Sequence, residues 1–287
     1  MRYLLLTFVT LISVSSGTAA ATSTLFGVTD NPFVPTVIYN INLSTGVVIT
    51  GRQVSLNGSL LFGITGIAFS KEEGKLYALA GLICGAADCY NPLYTINPAT
   101  GIAKQVGTGG RLTTITRIAF DPTTGTLYGA AYSAFSQQDF DFFTVDPKNG
   151  HTNLIWSSSA SPNFVGVTTM AIDAHGNLFL IETVSASGGV DTSRLVRVDK
   201  TTATVIGTTV LSHSLGFSAG MAFDPVTGIA YVADGNFHGS NDLYTLNTST
   251  GLLTTVGPTG TAFRFGIGGL SFNPVGEDKH EREDPER

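Results

Sequence analysis

Residues Ile115–Gly150 read ITRIAFDPTTGTLYGAAYSAFSQQDFDFFTVDPKNG. A short apolar run leads into Asp121-Pro122 and a turn closed by Gly125. A second run, Leu127-Tyr128-Gly129-Ala130, is followed by a loop, a third run, Phe142-Phe143-Thr144-Val145, and another Asp-Pro turn closed by Gly150. Runs of aromatic and β-branched residues bounded by Asp, Pro and Gly are strands joined by tight turns. The same order recurs from Thr65, Thr168 and Ala219. With Phe69, Phe120, Ile172, Phe223 and Phe272 as the ruler, the intervals are 51, 52, 51 and 49 residues. That period matches a four-stranded blade of a ring-shaped β-protein.

The two ends of the chain complete one another. Thr24–Val28 reads as a second strand and Val37–Ile41 as a third. The Asn42–Gly46 turn and a fourth strand near Val47–Thr50 follow, with no first strand before them. Gly268–Phe272 reads as a first strand with no successors. Joining the two predicts an all-β, five-bladed β-propeller closed by strands from both termini, which hides the sheet edges.

Around this repeat the sequence suggests a simple organisation. Arg2 and the apolar run Tyr3–Val14, followed by Ala19 and Ala21, predict a signal peptide over residues 1–20. One propeller domain over 21–275 follows, then a charged, solvent-exposed tail over 276–287. The expected location is secreted or periplasmic, with no membrane insertion after signal removal. A net charge of −6 without a basic stripe speaks against nucleic acid as partner. Cys84 and Cys89 share one loop; in an exported chain they predict a small disulfide, with a pair of free thiols as the other reading.

The turns fall into two classes. Those between first and second strands (Asp121–Gly125, Asp173–Gly176, Asp224–Gly228) and between third and fourth strands (Asn97–Gly101, Asp146–Gly150, Asn247–Gly251) are tight. Their Asp and Asn residues read as turn formers. At Asp199–Ala203 an Ala stands where the others have Gly, which predicts a different or strained turn. Strand alternation gathers all tight turns on one face. The opposite face takes the longer, dissimilar connections, among them Arg52–Phe62 between blades, and such loops are where a site is expected. Asn57-Gly58-Ser59 reads here as a glycosylation pattern.

Counting from the turn glycines, the residues at the channel mouth are Ala80, Ala131, Glu182 and Asp234, with Thr29 and Asp30 in the closing blade. Glu182, Asp234 and Asp30 are the candidate metal ligands, with Ca²⁺ as the ion three carboxylates would suit. Glu182, Asp234 and His238 are the candidate catalytic residues, the imidazole acting as a base oriented by Asp234. Against both stands the plainer reading of carboxylates hydrogen-bonded to loop amides at a wet rim. Arg117, Tyr132, Phe237 and Phe265 are the candidate ligand contacts, suited to a sugar, peptide or apolar small molecule. H-E-x-x-H and phosphate-binding glycine loops do not occur.

The recurring D-P-x-T-G turns, L-Y-x-x second strands and N/D-x-x-T-G after the third strand resemble the secreted bacterial propellers of the YVTN and NHL-like kind. They are also similar to an uncharacterised propeller group of bacteria. The resemblance implies a bladed ring, and related rings include lactonase-like hydrolases and a lyase. Such enzymes carry acidic, amide or imidazole groups in the channel, where this chain has Gly66, Arg117, Thr169, Gly220 and Gly268. The leading expectation is therefore a monomeric, non-enzymatic extracellular module without a cofactor. It would bind a small molecule, glycan or protein through its loop-rich face. A hydrolase or lyase with a carboxylate site, with or without Ca²⁺, is the alternative.

Overall fold

The structure is a computed structural model of the chain. It describes residues 23–29, 33–80, 83–84, 89–90, 92–107, 115–132, 140–157, 166–185, 191–216, 219–235, 241–260 and 266–273. The described strands form five antiparallel blades, each listed from the channel outward. Blade 1 is Ile267–Asn273, Thr24–Thr29, Val37–Ile41 and Val48–Gln53. Blade 2 is Ile64–Ser70, Lys75–Ala80, Leu93–Ile96 and Ile102–Val106. Blade 3 is Ile115–Phe120, Leu127–Tyr132, Phe140–Val145 and Thr152–Ser157. Blade 4 is Val167–Ile172, Leu178–Ser185, Asp191–Val198 and Val205–Val210. Blade 5 is Gly220–Phe223, Ala230–Ala233, Asp242–Leu246 and Leu253–Pro258.

The five inner strands adjoin one another in sequence around the channel. In blade 1 the closing register runs Thr24↔Asn273, Leu25↔Phe272 and Phe26↔Ser271, so the two ends of the chain share one sheet, as the repeat requires.

One rule of side-chain size repeats in every blade. A small inner-strand residue (Ala68, Ala119, Ala171, Ala222 or Ser271) faces an aromatic ring on the second strand (Tyr77, Tyr128, Phe179, Tyr231 or Phe26). Each ring packs toward the inner strand of the next blade. Centroid separations are 5.3 Å for Tyr77–Phe120, 5.4 Å for Phe179–Phe223 and 5.6 Å for Tyr231–Phe272. These tilted pairs add about 0.5–1.5 kcal/mol each beyond the area they bury, and they set the angle between neighbouring blades.

The Asp and Asn turn residues do the local work expected of them. At Asn42, Asn97, Asp146, Asp199 and Asn247 a side-chain oxygen accepts the amide two residues on, at 2.8–3.0 Å. Asp121, Asp173 and Asp224 do the same at 2.9–3.0 Å. Blade 2 has Ser70 at this position, and its Oγ accepts the Glu73 amide at 3.2 Å.

Turn glycines also hold the seams between blades. At Gly101, with φ of 75°, an added Cβ would stand 2.2 Å from the Gln53 carbonyl oxygen of blade 1. At Gly251, with φ of 74°, it would stand 2.1 Å from the Val210 oxygen of blade 4. Ala203 takes the same left-handed place with φ of 54°, so the turn keeps its form and the residue carries the strain. Its methyl is buried in the cluster where Ile155 and Trp156 of blade 3 pack, so the seam between blades 3 and 4 has room for it.

The structure corrects the sequence reading in two places. Arg52–Phe62 is not a plain connection: Arg52 belongs to the outer strand of blade 1. Ser55–Leu56 and Ser59–Leu60 form a hairpin that docks on Ile102–Val106, extending blade 2 to six strands. Its turn is Asn57-Gly58, with φ of 51° and 82°, the mirror-image geometry that suits the twist of a two-residue hairpin. Second, the register aligns Gly269, not Gly268, with Gly66, Arg117, Thr169 and Gly220. The expected signal segment and charged tail lie outside the described residues, as do Asp30, Phe237, His238 and Phe265.

Gly101→Ala should destabilise the protein by about 2–4 kcal/mol, the sum of a left-handed Cβ and a main-chain clash. Ala203→Gly should stay within about 1 kcal/mol of the parent, because relief of the left-handed strain offsets the lost methyl burial and the added chain entropy. Urea midpoints of the two variants measure the difference.

Candidate functional site

The mouth of the channel on the loop face is built by the ends of the second strands and the starts of the inner ones. Here the ladder is irregular in four blades at one level. Ile64 pairs with Ala80, Ile115 with Ala131, Val167 with Glu182 and Ile267 with Thr29, and the register then skips Thr65, Thr116, Thr168 and Gly268. A bulge repeated at one height bends each inner strand and re-aims the groups beside it. Thr29, Ala80, Ala131, Glu182 and Asp234 thus occupy equivalent places.

At the next position inward, Gly66, Thr169, Gly220 and Gly269 are small, and blade 3 supplies Arg117. The glycines let the strands of blades 5, 1 and 2 close together. A Cβ on Gly269 would lie 3.5 Å from the Gly66 Cα, and one on Gly220 would lie 3.2 Å from the Gly269 carbonyl carbon. Arg117 is buried. Its Nη1 donates to the Thr65 carbonyl of blade 2 at 3.0 Å, and its Nε donates to the Thr168 carbonyl of blade 4. It therefore spans three blades inside the mouth instead of standing at an outer rim.

Glu182 is wholly buried, and its Oε2 accepts Arg194 Nε at 2.5 Å from directly across the strand pair. Asp234 is also buried, and its Oδ1 accepts the Gly216 amide at 2.8 Å, which fixes the connection from blade 4 to blade 5. Between the two lies a hydroxyl cluster. Thr183 Oγ1 and Ser193 Oγ are 2.8 Å apart, and Ser193 Oγ accepts the Leu215 amide at 2.8 Å.

Beside Asp234, Tyr244 has its phenol pushed up to about 12, by burial first and then by the Asp242 and Asp234 carboxylates. The exposed His213 lies against the Tyr244 ring at 4.8 Å. The sequence pattern singles out neither Tyr244 nor Asp242. The one available signal was an acid immediately before a third strand on the loop-rich side.

Of the residues singled out from sequence, Arg117, Glu182 and Asp234 share this mouth. Tyr132 ends the second strand of blade 3 on the same face, and nothing is described of its side chain. Among the described residues no three His, Cys, Asp or Glu groups come together at metal-holding distance. Cys84 and Cys89 stand opposite each other in a two-stranded hairpin.

The Tyr244 phenol makes a testable demand. Because its folded value lies above the usual 10, the stability it lends is complete below about pH 10 and is lost as pH rises toward 12. Tyr244→Phe should flatten the fall in stability over that window, measured by urea unfolding at fixed pH. The corresponding late step should vanish from the ultraviolet titration of the folded protein.

No known family profile matches the chain, and no curated protein matches it significantly. Solved structures do. A Bacteroides caccae protein of unknown function superimposes with a TM-score of 0.51 at 12% identity, covering 88% of this chain and 99% of that one. A Bacteroides fragilis protein provisionally named 6-phosphogluconolactonase gives 0.46 at 11%, covering 89% and 99%. The periplasmic gluconolactonase of Pseudomonas aeruginosa gives 0.46 at 11%, covering 88% and 99%.

The expectation of a non-enzymatic binding module is corrected. Two of the neighbours just described carry the names of lactonases. The likeness itself is one of fold, so the correction rests on the site. The carboxylates expected at a wet rim, Glu182 and Asp234, are buried within the mouth together with Arg117. What the comparisons and the geometry establish together is a five-bladed β-propeller with charged groups buried at one end of its channel.

Proposed function

We propose that the chain is a hydrolase that opens an ester or lactone at the loop-face mouth. One observation carries this reading: Arg117, Glu182 and Asp234 are buried where sister blades place Gly, Ala or Thr. The small residues of those blades show what the ring itself needs at this level. Burying charges costs stability that only imperfectly offsets itself through pairing, so three of them at one mouth argue for chemistry.

In this reading Asp234, oriented by the Gly216 amide, takes a proton from a water as its oxygen attacks the substrate carbonyl. The Arg117 guanidinium faces the charge that gathers on the carbonyl oxygen. When the tetrahedral adduct collapses, the ester C–O bond breaks, and the alkoxide takes the proton back from Asp234. The products are a hydroxyl group and a carboxylic acid. Glu182, locked to Arg194, holds the wall of the mouth and supplies a second negative group beside the hydroxyls of Thr183 and Ser193. Sugar lactones are the first substrates to try, the class named for the gluconolactonase neighbours. The reading includes export to the periplasm or beyond after removal of residues 1–20, a Cys84–Cys89 disulfide, and Ca²⁺ joining Asp30, Glu182 and Asp234 as an optional cofactor.

The test is a pH-stat assay of the purified chain on δ-gluconolactone, 6-phosphogluconolactone, a homoserine lactone and p-nitrophenyl acetate, with and without chelator. The parent should turn over at least one. Asp234→Asn should lower kcat by about 100-fold or more while leaving the thermal midpoint near that of the parent. No turnover across the panel, or full activity in Asp234→Asn, would refute the reading.

A further inference from the structure

At the other end of the channel, on the tight-turn face, the five inner strands line an open cavity of about 620 Å³. It is separate from the mouth described above. Its wall is largely apolar, and the ruler residues Phe69, Phe120, Phe223 and Phe272 present aromatic rings to it from four blades. Lys71 and Glu72 stand exposed at its rim, and two buried carboxylates line it, Asp121 and Asp224. They differ in one respect. Asp121 is neutralised by the Lys200 ammonium, which also donates to the Gly176 carbonyl at 2.9 Å.

Asp224 is almost as deeply buried, yet its donors are neutral: Ser23 Oγ at 2.6 Å, the Val226 amide at 3.0 Å, Thr227 Oγ1 at 2.7 Å and the Thr227 amide. Among the described residues no Lys, Arg or His pairs with it. Burial pushes its carboxyl up, and these hydrogen bonds more than reverse the effect, so the group stays ionised at neutral pH. Burial first, and then the Asp224 charge, raise the neighbouring Tyr231 phenol, whose ring packs on Phe272. An ionised carboxylate with no cationic partner among the described residues, beside several aromatic rings in a largely apolar cavity, is the chemistry that holds organic cations, through charge and through the negative faces of the rings.

We propose that this cavity binds a small organic ammonium ion, its charged head at Asp224 and its hydrocarbon body among Phe69, Phe120, Phe223 and Phe272. The proposal does not rest on hydrolysis at the far mouth. Titration calorimetry of the full chain with benzyltrimethylammonium, benzyl alcohol and benzoate tests it. The cation should bind at least tenfold more tightly than the alcohol, and benzoate more weakly than either. Asp224→Asn, which keeps an acceptor for Ser23, should bring cation and alcohol within about threefold of each other. Should that variant fail to fold, Met221→Trp, which fills the chamber from its wall, should abolish binding of the cation by the folded protein. The proposal falls if the parent does not bind the cation, if the parent binds the alcohol equally well, if folded Asp224→Asn keeps the tenfold preference, or if Met221→Trp binds like the parent.

Discussion

The pairing of Thr24–Thr29 with Ile267–Asn273 is the contact on which every other feature of the ring depends. It joins strands separated by nearly the whole chain. The loop-closure cost grows only with the logarithm of that separation, and is about 5 kcal/mol. Leu25, Val28, Leu270 and Phe272 are buried along this seam, and at about 2 kcal/mol each their burial exceeds that cost. Ser23 extends the closure by donating to Asp224 in the turn of blade 5, so the entering chain is tied to two blades at once. Without this seam blade 1 would lack its inner strand, and both the mouth and the opposite chamber would be open at one side.

Given closure, the sequence can be read as a rule and its exceptions. The rule is a small inner residue against a ring, a tight turn with an Asx or Ser acceptor, and a left-handed glycine where a turn meets the previous blade. Each part has a local cause. The exceptions cluster. Ala203 replaces glycine at the seam where Trp156 packs, and Lys200 reaches from the same turn to Asp121 of blade 3. Arg117, Glu182 and Asp234 replace small residues at the mouth. Blades 3 and 4 therefore differ from the others in the seam they share, and blades 3, 4 and 5 differ from blades 1 and 2 in the charges they place at the mouth.

Strand order, blade count and turn roles were legible in the sequence because each depends on residues within one 50-residue repeat, or on the match between two incomplete ones. The carboxylate positions Glu182 and Asp234 were legible for the same reason, since they sit at a fixed distance from a turn glycine. What Arg117 does was not, because its partners Thr65 and Thr168 belong to the blades on either side and offer main-chain carbonyls, which no residue type announces. The Asn57-Gly58 hairpin was open to recognition, as that dipeptide is a strong turn signal. The same residues also satisfy the glycosylation pattern, which says nothing of the turn. The buried Tyr244, with Asp242 and Asp234 around it, escaped because an aromatic residue in a third strand looks like core until its hydroxyl is placed.

Thr24 and Asn273 lie side by side at the tight-turn end of blade 1. A short peptide bridge between these neighbours would make the backbone covalently endless without moving a blade. New termini could then be opened at an exposed tight turn such as Lys71–Gly74. In such a circular permutant the join of blade 1 would become an ordinary hairpin, and the order in which blades assemble would change while the finished ring stayed the same.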